Sequence, residues 1–238
     1  MAVILNIETA TPLCSVALSV NGSVVSQRET SEDRSHASKL TVFIKEVLAE
    51  KGIGVSDLDA VAVGKGPGSY TGLRIGVSTA KGLCFGANLP LIAMNTLKII
   101  FNQLVAFPEE MVQSLLDKPG TLFCPMIDAR RMEVFTCLFN SRGDEMESVS
   151  ARIIEQDTYR AWLSGHNIVF FGSGMDKCRN ILAGEHAFFV PDVYPHAASL
   201  ALLAEQKFSL QEFENVAYFE PFYLKDFIAT TPKKVVPL

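Results

Sequence analysis

The chain lacks any cysteine arrangement that would hold a metal or build a disulfide framework. Its five cysteines, Cys14, Cys84, Cys124, Cys137 and Cys178, are scattered, and the nearest two are 13 positions apart. An odd, dispersed set reads as reduced core thiols in a cytosolic setting. Histidine is scarce as well: His36, His166, His186 and His196 include no two residues at the spacing of a zinc pair. A Gly-x-Ser-x-Gly nucleophile elbow is missing, since Ser69 has Pro67 two before it and Thr71 two after. Basic residues are not in excess. Lys and Arg number 21 against 26 Asp and Glu, a net charge of −5, so the chain is not expected to be the main nucleic-acid binder of an assembly, although a local patch could touch RNA. The N-terminus has no basic start and carries Glu8, unlike a signal peptide. The uncharged stretch from Gly82 to Leu97 contains Pro90 and is 16 residues long, short of the roughly 18–20 a membrane-spanning helix needs.

What is present is a globular composition. Hydrophobic residues make up 48% of 238, ample for a core, and the length lies between one domain and two at roughly 150 residues each. Residues 3–7, 14–20 and 24–29 read as strands, with Asn21-Gly22 as a hairpin turn. From Ser35 to Lys51 apolar residues fall at Ala37, Leu40, Phe43, Ile44, Val47 and Leu48, a helical spacing stopped by Gly52. Ala60 to Val63 is a buried strand, followed by the glycine-rich segment Gly64-Lys65-Gly66-Pro67-Gly68-Ser69 and a helix over about 71–86. A strand over 90–94 precedes a helix capped by Asn95-Thr96 and running to about Ala106. After Pro119-Gly120 the opening pattern recurs. A strand over 122–127 ends in Asp128, as the first ends in Glu8, and a second strand over 133–139 follows a short polar turn. The recurrence reads as a duplicated unit, or as two hairpins that merely look alike. A strand over 168–171 and a helix over 195–207 complete the second half. Alternating hairpins and helices imply mixed α/β layers. Two such halves facing each other would make a two-lobed actin-like architecture, with the carboxylate-ended turns aimed at phosphates.

Two features bear on chemistry. The segment 64–69 is neither a Walker A loop nor a dinucleotide fingerprint. It nevertheless lies between a strand and a helix N-terminus, where free backbone N–H groups favour an anion. It reads either as a phosphate contact or as a tight turn. The first hairpin turn, Glu8-Thr9-Ala10-Thr11-Pro12, has no glycine, so its backbone cannot easily approach a phosphate, and nucleotide binding by the chain alone is expected to be weak or absent. In the following helix Gly72, Gly76, Ala80 and Cys84 recur every four residues. Such a stripe of small side chains permits close packing, against the chain's own sheet or against a partner helix.

The run from Ala62 to Gly76, with Gly66-Pro67-Gly68-Ser69-Tyr70-Thr71-Gly72-Leu73-Arg74 at its centre, resembles the signature of the TsaB family, also called YeaZ-like. The opening Ile4 to Ala10 is similar to the family start, with Glu8 where an aspartate is usual. Arg34-Ser35-His36 leading to Leu40, Asp128-Ala129-Arg130-Arg131-Met132-Glu133-Val134 and Glu220-Pro221-Phe222-Tyr223-Leu224-Lys225 extend the likeness over nearly the whole chain. The resemblance implies a duplicated ribonuclease H-like, actin-like ATPase fold with a smaller, degenerate second lobe, and lobes at 1–107 and 108–238. It implies a non-catalytic scaffold in tRNA threonylcarbamoyladenosine synthesis, pairing with the paralogue TsaD and joined by the ATPase TsaE, forming a homodimer when alone and meeting tRNA only within the complex. ATP and metal would belong to those partners. The paralogue's two metal-binding histidines fall at Thr96 and Ile100 here, neither of which could serve as a ligand. The pairing surface would be built from His36, Leu40, Phe43, Val47, Gly72, Gly76 and Ala80. The first helix reads as two apolar stripes, His36, Leu40, Phe43 and Val47 on one and Ala37, Ile44 and Leu48 on the other; the sequence leaves open which faces out, with Leu40, Phe43 and Val47 the favoured side. A vestigial phosphate contact would involve Glu8, Thr9, Gly66, Gly68, Ser69, Thr71 and Arg74. The other reading, an autonomous glycoprotease-like hydrolase, is disfavoured by the missing histidine pair and elbow. A small-molecule kinase of the same fold is disfavoured by the glycine-free turn.

Overall fold

A computed structural model describes residues 2–32 and 35–225; Arg34, part of the sequence resemblance, lies outside the described residues. Two five-stranded sheets form the frame. The first contains β1 (Val3–Glu8), β2 (Cys14–Val20), β3 (Ser23–Thr30), β4 (Ala60–Gly66) and β5 (Leu91–Asn95) in the order β3-β2-β1-β4-β5. The second contains β6 (Leu122–Asp128), β7 (Glu133–Asn140), β8 (Glu145–Ile153), β9 (Ile168–Phe171) and β10 (Ala187–Val190) in the order β10-β9-β6-β7-β8. Reading the second from its other edge gives the same topology: three antiparallel strands, then two parallel ones. The recurrence in the sequence is therefore a structural duplication.

Each sheet is buried on both faces, and its strands alternate accordingly. In β1 and β4, Leu5, Ile7, Val61 and Val63 face one core while Ile4, Ala60 and Ala62 face the other. The first of these cores is closed by α1 (His36–Glu50) and α2 (Tyr70–Ala87). In the second sheet Phe123, Phe135, Phe139 and Phe171 face one side, and Leu122, Met126, Leu138 and Phe170 the other. The latter side is covered by α5 (Arg160–Leu163) and α6 (Met175–Leu182), much shorter than their counterparts α1 and α2.

The remaining helices cross between the lobes. From α3 (Thr96–Ala106), Leu97, Ile100, Phe101 and Leu104 pack on the second sheet together with α4 (Glu110–Leu116), while Ile99 faces the first. In return, α7 (Ala197–Ser209) leaves the second lobe and packs Leu200, Leu203 and Ala204 against the first sheet. The packing does not follow the division read at 107/108: α7, with Ile99 of α3, covers the second apolar face of the first sheet, so this helix packs with the first lobe although it follows the second in sequence. Glu214 pairs with Leu91 on the edge of β5, and the Phe222 N–H donates to the Lys65 carbonyl, so the segment after α7 also follows the first lobe.

The orientation of α1 also differs from expectation. Leu40, Ile44, Val47 and Leu48 are all buried in the chain's own core, and Phe43 packs at its margin. These positions make a single broad face rather than two stripes, as helical spacing at i, i+3, i+4, i+7 and i+8 requires. Leu40 and Val47 therefore do not face outward. His36 is half-buried, with Nε2 bonded to the Thr11 carbonyl. The small-residue stripe of α2 is likewise internal. A Cβ added to Gly72 would overlap the Thr9 carbonyl, one added to Gly76 would overlap Thr9 Oγ1, and Ala80 is fully buried in the α1–α2 core. The stripe lets α2 sit directly on the β1–β2 turn.

Gly82 of α2, by contrast, has no atom near its missing Cβ. Gly76→Ala is expected to destabilise the chain by roughly 1–3 kcal/mol through overpacking. Gly82→Ala is expected to stabilise it by roughly 0.5–1 kcal/mol through helix propensity. Denaturant melts of the two variants measure both signs.

Candidate functional site

A cleft of about 990 Å3 opens between the lobes. Its first wall is the β1–β2 turn, Ala10 to Leu13, with the start of α2, Gly68 to Thr71. Its second is the matching β6–β7 turn, Ile127 to Arg130, with Ser173. The segment after α7 supplies Phe222 to Lys225. The site thus lies where the two copies of the duplicated unit face each other, with one carboxylate-ended strand on each side.

On the first side the carboxylate does not reach the cleft. Glu8 is fully buried. Its Oε1 accepts the Ala10 N–H at 2.6 Å, and Oε2 has no hydrogen-bond partner among the described residues. Burial pushes its pKa from the ordinary 4.5 up to about 7, against the lowering effect of the Ala10 and Thr9 backbone N–H groups. The turn itself is locked onto α2. The Thr9 hydroxyl donates to the Gly72 carbonyl at 2.9 Å, the Ser69 N–H donates to the Ala10 carbonyl at 2.7 Å, and Ser69 Oγ caps α2 by accepting the Gly72 N–H at 3.2 Å. On the second side Asp128 is exposed but engaged. It accepts the Arg130 N–H at 2.8 Å and forms an ion pair with Lys177. Among the described residues no group of three or more His, Cys, Asp or Glu side chains is placed to hold a metal.

Of the residues read from sequence as a phosphate contact, Gly68, Ser69 and Thr71 line the cleft. Glu8, Thr9 and Gly66 are buried, and Arg74 is exposed with its guanidinium over the Tyr70 ring. The structure adds aromatic lining that the sequence did not reveal: Tyr70, whose ring lies 4.9 Å from that of Tyr223, together with Tyr194 and Phe222. Only the contact between residues 153 positions apart marks Tyr70 and Tyr223 as one site, and no local pattern carries that. Thr96 and Ile100 are both buried.

Among the described residues no serine or cysteine is hydrogen-bonded to a histidine. All five cysteines are free and buried, and desolvation raises their thiols, Cys14 and Cys84 to about 11 and Cys124 to about 12. The four histidines bond through one ring nitrogen each to the carbonyls of Thr11 and Gly120, to Asn167 and to Glu29.

Glu8 makes stability depend on pH. The folded chain keeps a proton that the unfolded chain releases as pH rises from about 4.5 to about 7. Stability should therefore fall with rising pH across that window and level off above it, by on the order of 3 kcal/mol in total. Urea melts across that window should show this slope in the wild type and not in Glu8→Gln.

The comparisons with known proteins agree in kind. Residues 23–233 match the family model described as TsaD: tRNA N6-adenosine threonylcarbamoyltransferase. The tRNA threonylcarbamoyladenosine biosynthesis protein TsaB of Escherichia coli is 32% identical over 95% of this chain and 96% of its own. YeaZ from Pseudomonas aeruginosa superposes with a TM-score of 0.77 at 26% identity, over 94% of this chain and all of that one. A dehydratase activator from Clostridium difficile with bound ADPNP shares the fold at a TM-score of 0.50 and 9% identity, over 90% of this chain and 98% of its own. With a match spanning most of its length and a full-length relative of this identity, the chain belongs to the TsaB, or YeaZ-like, family within the wider threonylcarbamoyltransferase family.

Proposed function

We propose that the chain is the non-catalytic pairing subunit of a cytoplasmic complex that forms threonylcarbamoyladenosine on tRNA, with a TsaD-type transferase as its partner. The observation that carries this reading is the state of the two turn carboxylates. Glu8 is sealed inside the first lobe, and Asp128, exposed at the cleft, is already matched through Oδ1 by Lys177, so the first lobe offers no carboxylate to a metal–phosphate group and the second offers one with a cation beside it. Nucleotide and metal then belong to the partners, a TsaE-type ATPase among them, and tRNA is met within the assembly. The buried thiols, and the lack of a histidine hydrogen-bonded to a serine or cysteine among the described residues, speak against the hydrolase reading.

The pairing surface is the outward side of α1 and α2. With Leu40, Val47, Gly72, Gly76 and Ala80 internal, what these helices offer is Ala37, Thr41 and Lys45 on α1 and Arg74, Ser78, Gly82 and Phe85 on α2. Phe85 is 86% exposed, and Gly82 has open space around it, so a partner helix can come close there. Alone, two copies would meet through the same surface in an isologous dimer, in competition with the transferase.

Gly82→Arg is expected to fold like the wild type but to lose at least about tenfold in affinity for the transferase and to run as a monomer. Calorimetric titration with the transferase, light scattering and thermal melting measure these. Unchanged affinity would move the interface elsewhere. Titration of the lone chain with ATP and Mg2+ should give no micromolar binding, and a micromolar dissociation constant would overturn the assignment of nucleotide to the partners.

A further inference from the structure

A second cavity, of about 290 Å3, shares no lining residue with the cleft. Three lysines from three distant parts of the chain converge on it: Lys65 in the glycine-rich end of β4, Lys98 in the first turn of α3, and Lys207 near the end of α7. The β7–β8 turn of the other lobe closes it with Gly143 and Glu145. Lys65 lines this cavity and not the cleft.

Within the lining three lysines face one carboxylate, and two further carboxylates, Asp144 and Glu212, lie beyond it. Glu145 is the only carboxylate among the lining residues. Lys207 shares Glu212 at 3.4 Å, outside the lining. Lys98 donates to the Gly143 carbonyl and lies 5.1 Å from the ring centres of both Phe101 and Phe139. Desolvation there lowers its pKa, with the charge of Asp144 acting the other way. Lys65 has no ion-pair partner among the described residues. Asn95 caps α3 through its side-chain oxygen, which accepts the Leu97 N–H at 2.9 Å. The positive end of that helix thus adds to the lysines. Cationic donors brought to one cavity from three elements suit an oxyanion.

We infer that this cavity is a binding site for a phosphate group. Its volume is just below the roughly 300–1,000 Å3 typical of small-molecule pockets, which suits a phosphate rather than a whole nucleotide. Lysines serve such a group as point charges. The group is either a free phosphate or a phosphodiester of an RNA strand passing over the opening. The site needs only the three lysines, whether or not α1 and α2 pair with a partner.

The test is equilibrium dialysis of the full chain against radiolabelled orthophosphate at ionic strength held constant with chloride, with thermal melts to confirm folding. Saturable binding of one phosphate per chain is expected. Lys65→Gln and Lys207→Gln should each weaken it roughly tenfold, as expected for a lost charge-assisted hydrogen bond, and Lys65→Arg should largely retain it. If Lys65→Gln fails to fold, Lys207→Gln carries the comparison. Release of the label by added tRNA identifies the phosphodiester source, and retention of the label identifies a free anion; both support the site. Absence of saturable binding, or wild-type binding by the folded glutamine variants, overturns it.

Discussion

The first lobe depends on how closely α2 lies on the β1–β2 turn. Thr9 touches the helix through its carbonyl, opposite Gly72, and through its hydroxyl, opposite Gly76 and bonded to the Gly72 carbonyl. There is no room for a methyl group at either glycine. This one contact fixes three others. It seats Ser69 as the helix cap beside Ala10, it holds α2 against α1 over Leu40, Ile44 and Val47, and it turns Gly82 and Phe85 outward. Two helix glycines, each costing about 1 kcal/mol against alanine, are thereby offset by packing inside the chain.

The same contact separates the two copies of the duplicated unit. Their strands follow one topology, but α1 and α2 run 15 and 18 residues where α5 and α6 run 4 and 8. With no long glycine-faced helix pressed on it, the β6–β7 turn stays open. Asp128 remains exposed and is met by Lys177, whereas Glu8 is sealed in. The exchange of α3 and α7 between the lobes then ties the halves into one body, since each sheet takes its second apolar cover from the helix that follows the other.

Much of this was legible in the sequence because it is local. Short apolar runs bounded by turn residues marked β1, β2, β4, β6, β7 and β9, and the repeat of a carboxylate-ended strand raised duplication beside the reading of two hairpins merely alike. The helical spacing of α1 showed which residues are apolar. It did not show which face is turned in, because Leu40, Phe43, Ile44, Val47 and Leu48 span one wide arc that can also be divided into two stripes. The stripe on α2 was visible as a need for close packing, and periodicity does not name what packs there. The attachment of α7 to the first lobe, the pairing of Tyr70 with Tyr223 and the convergence of Lys65, Lys98 and Lys207 were not legible. Each joins positions tens to more than a hundred residues apart, with no spacing rule between them.

Glu8 shows how a one-residue departure from a family pattern is accommodated. Its side chain is one methylene longer than the aspartate usual in the resemblance. The carboxyl bends back to the Ala10 N–H and presses its other oxygen toward Gly64, where a Cβ would overlap it. A carboxylate so enclosed, with one oxygen unpartnered among the described residues, favours its neutral form. A carboxyl buried behind the turn, outside the lining of the cleft, is not presented to a cation there. The first lobe thus keeps a carboxyl group where nucleotide-binding turns of this fold place one, while the packing of α2 and Gly64 around it turns that group into part of the core.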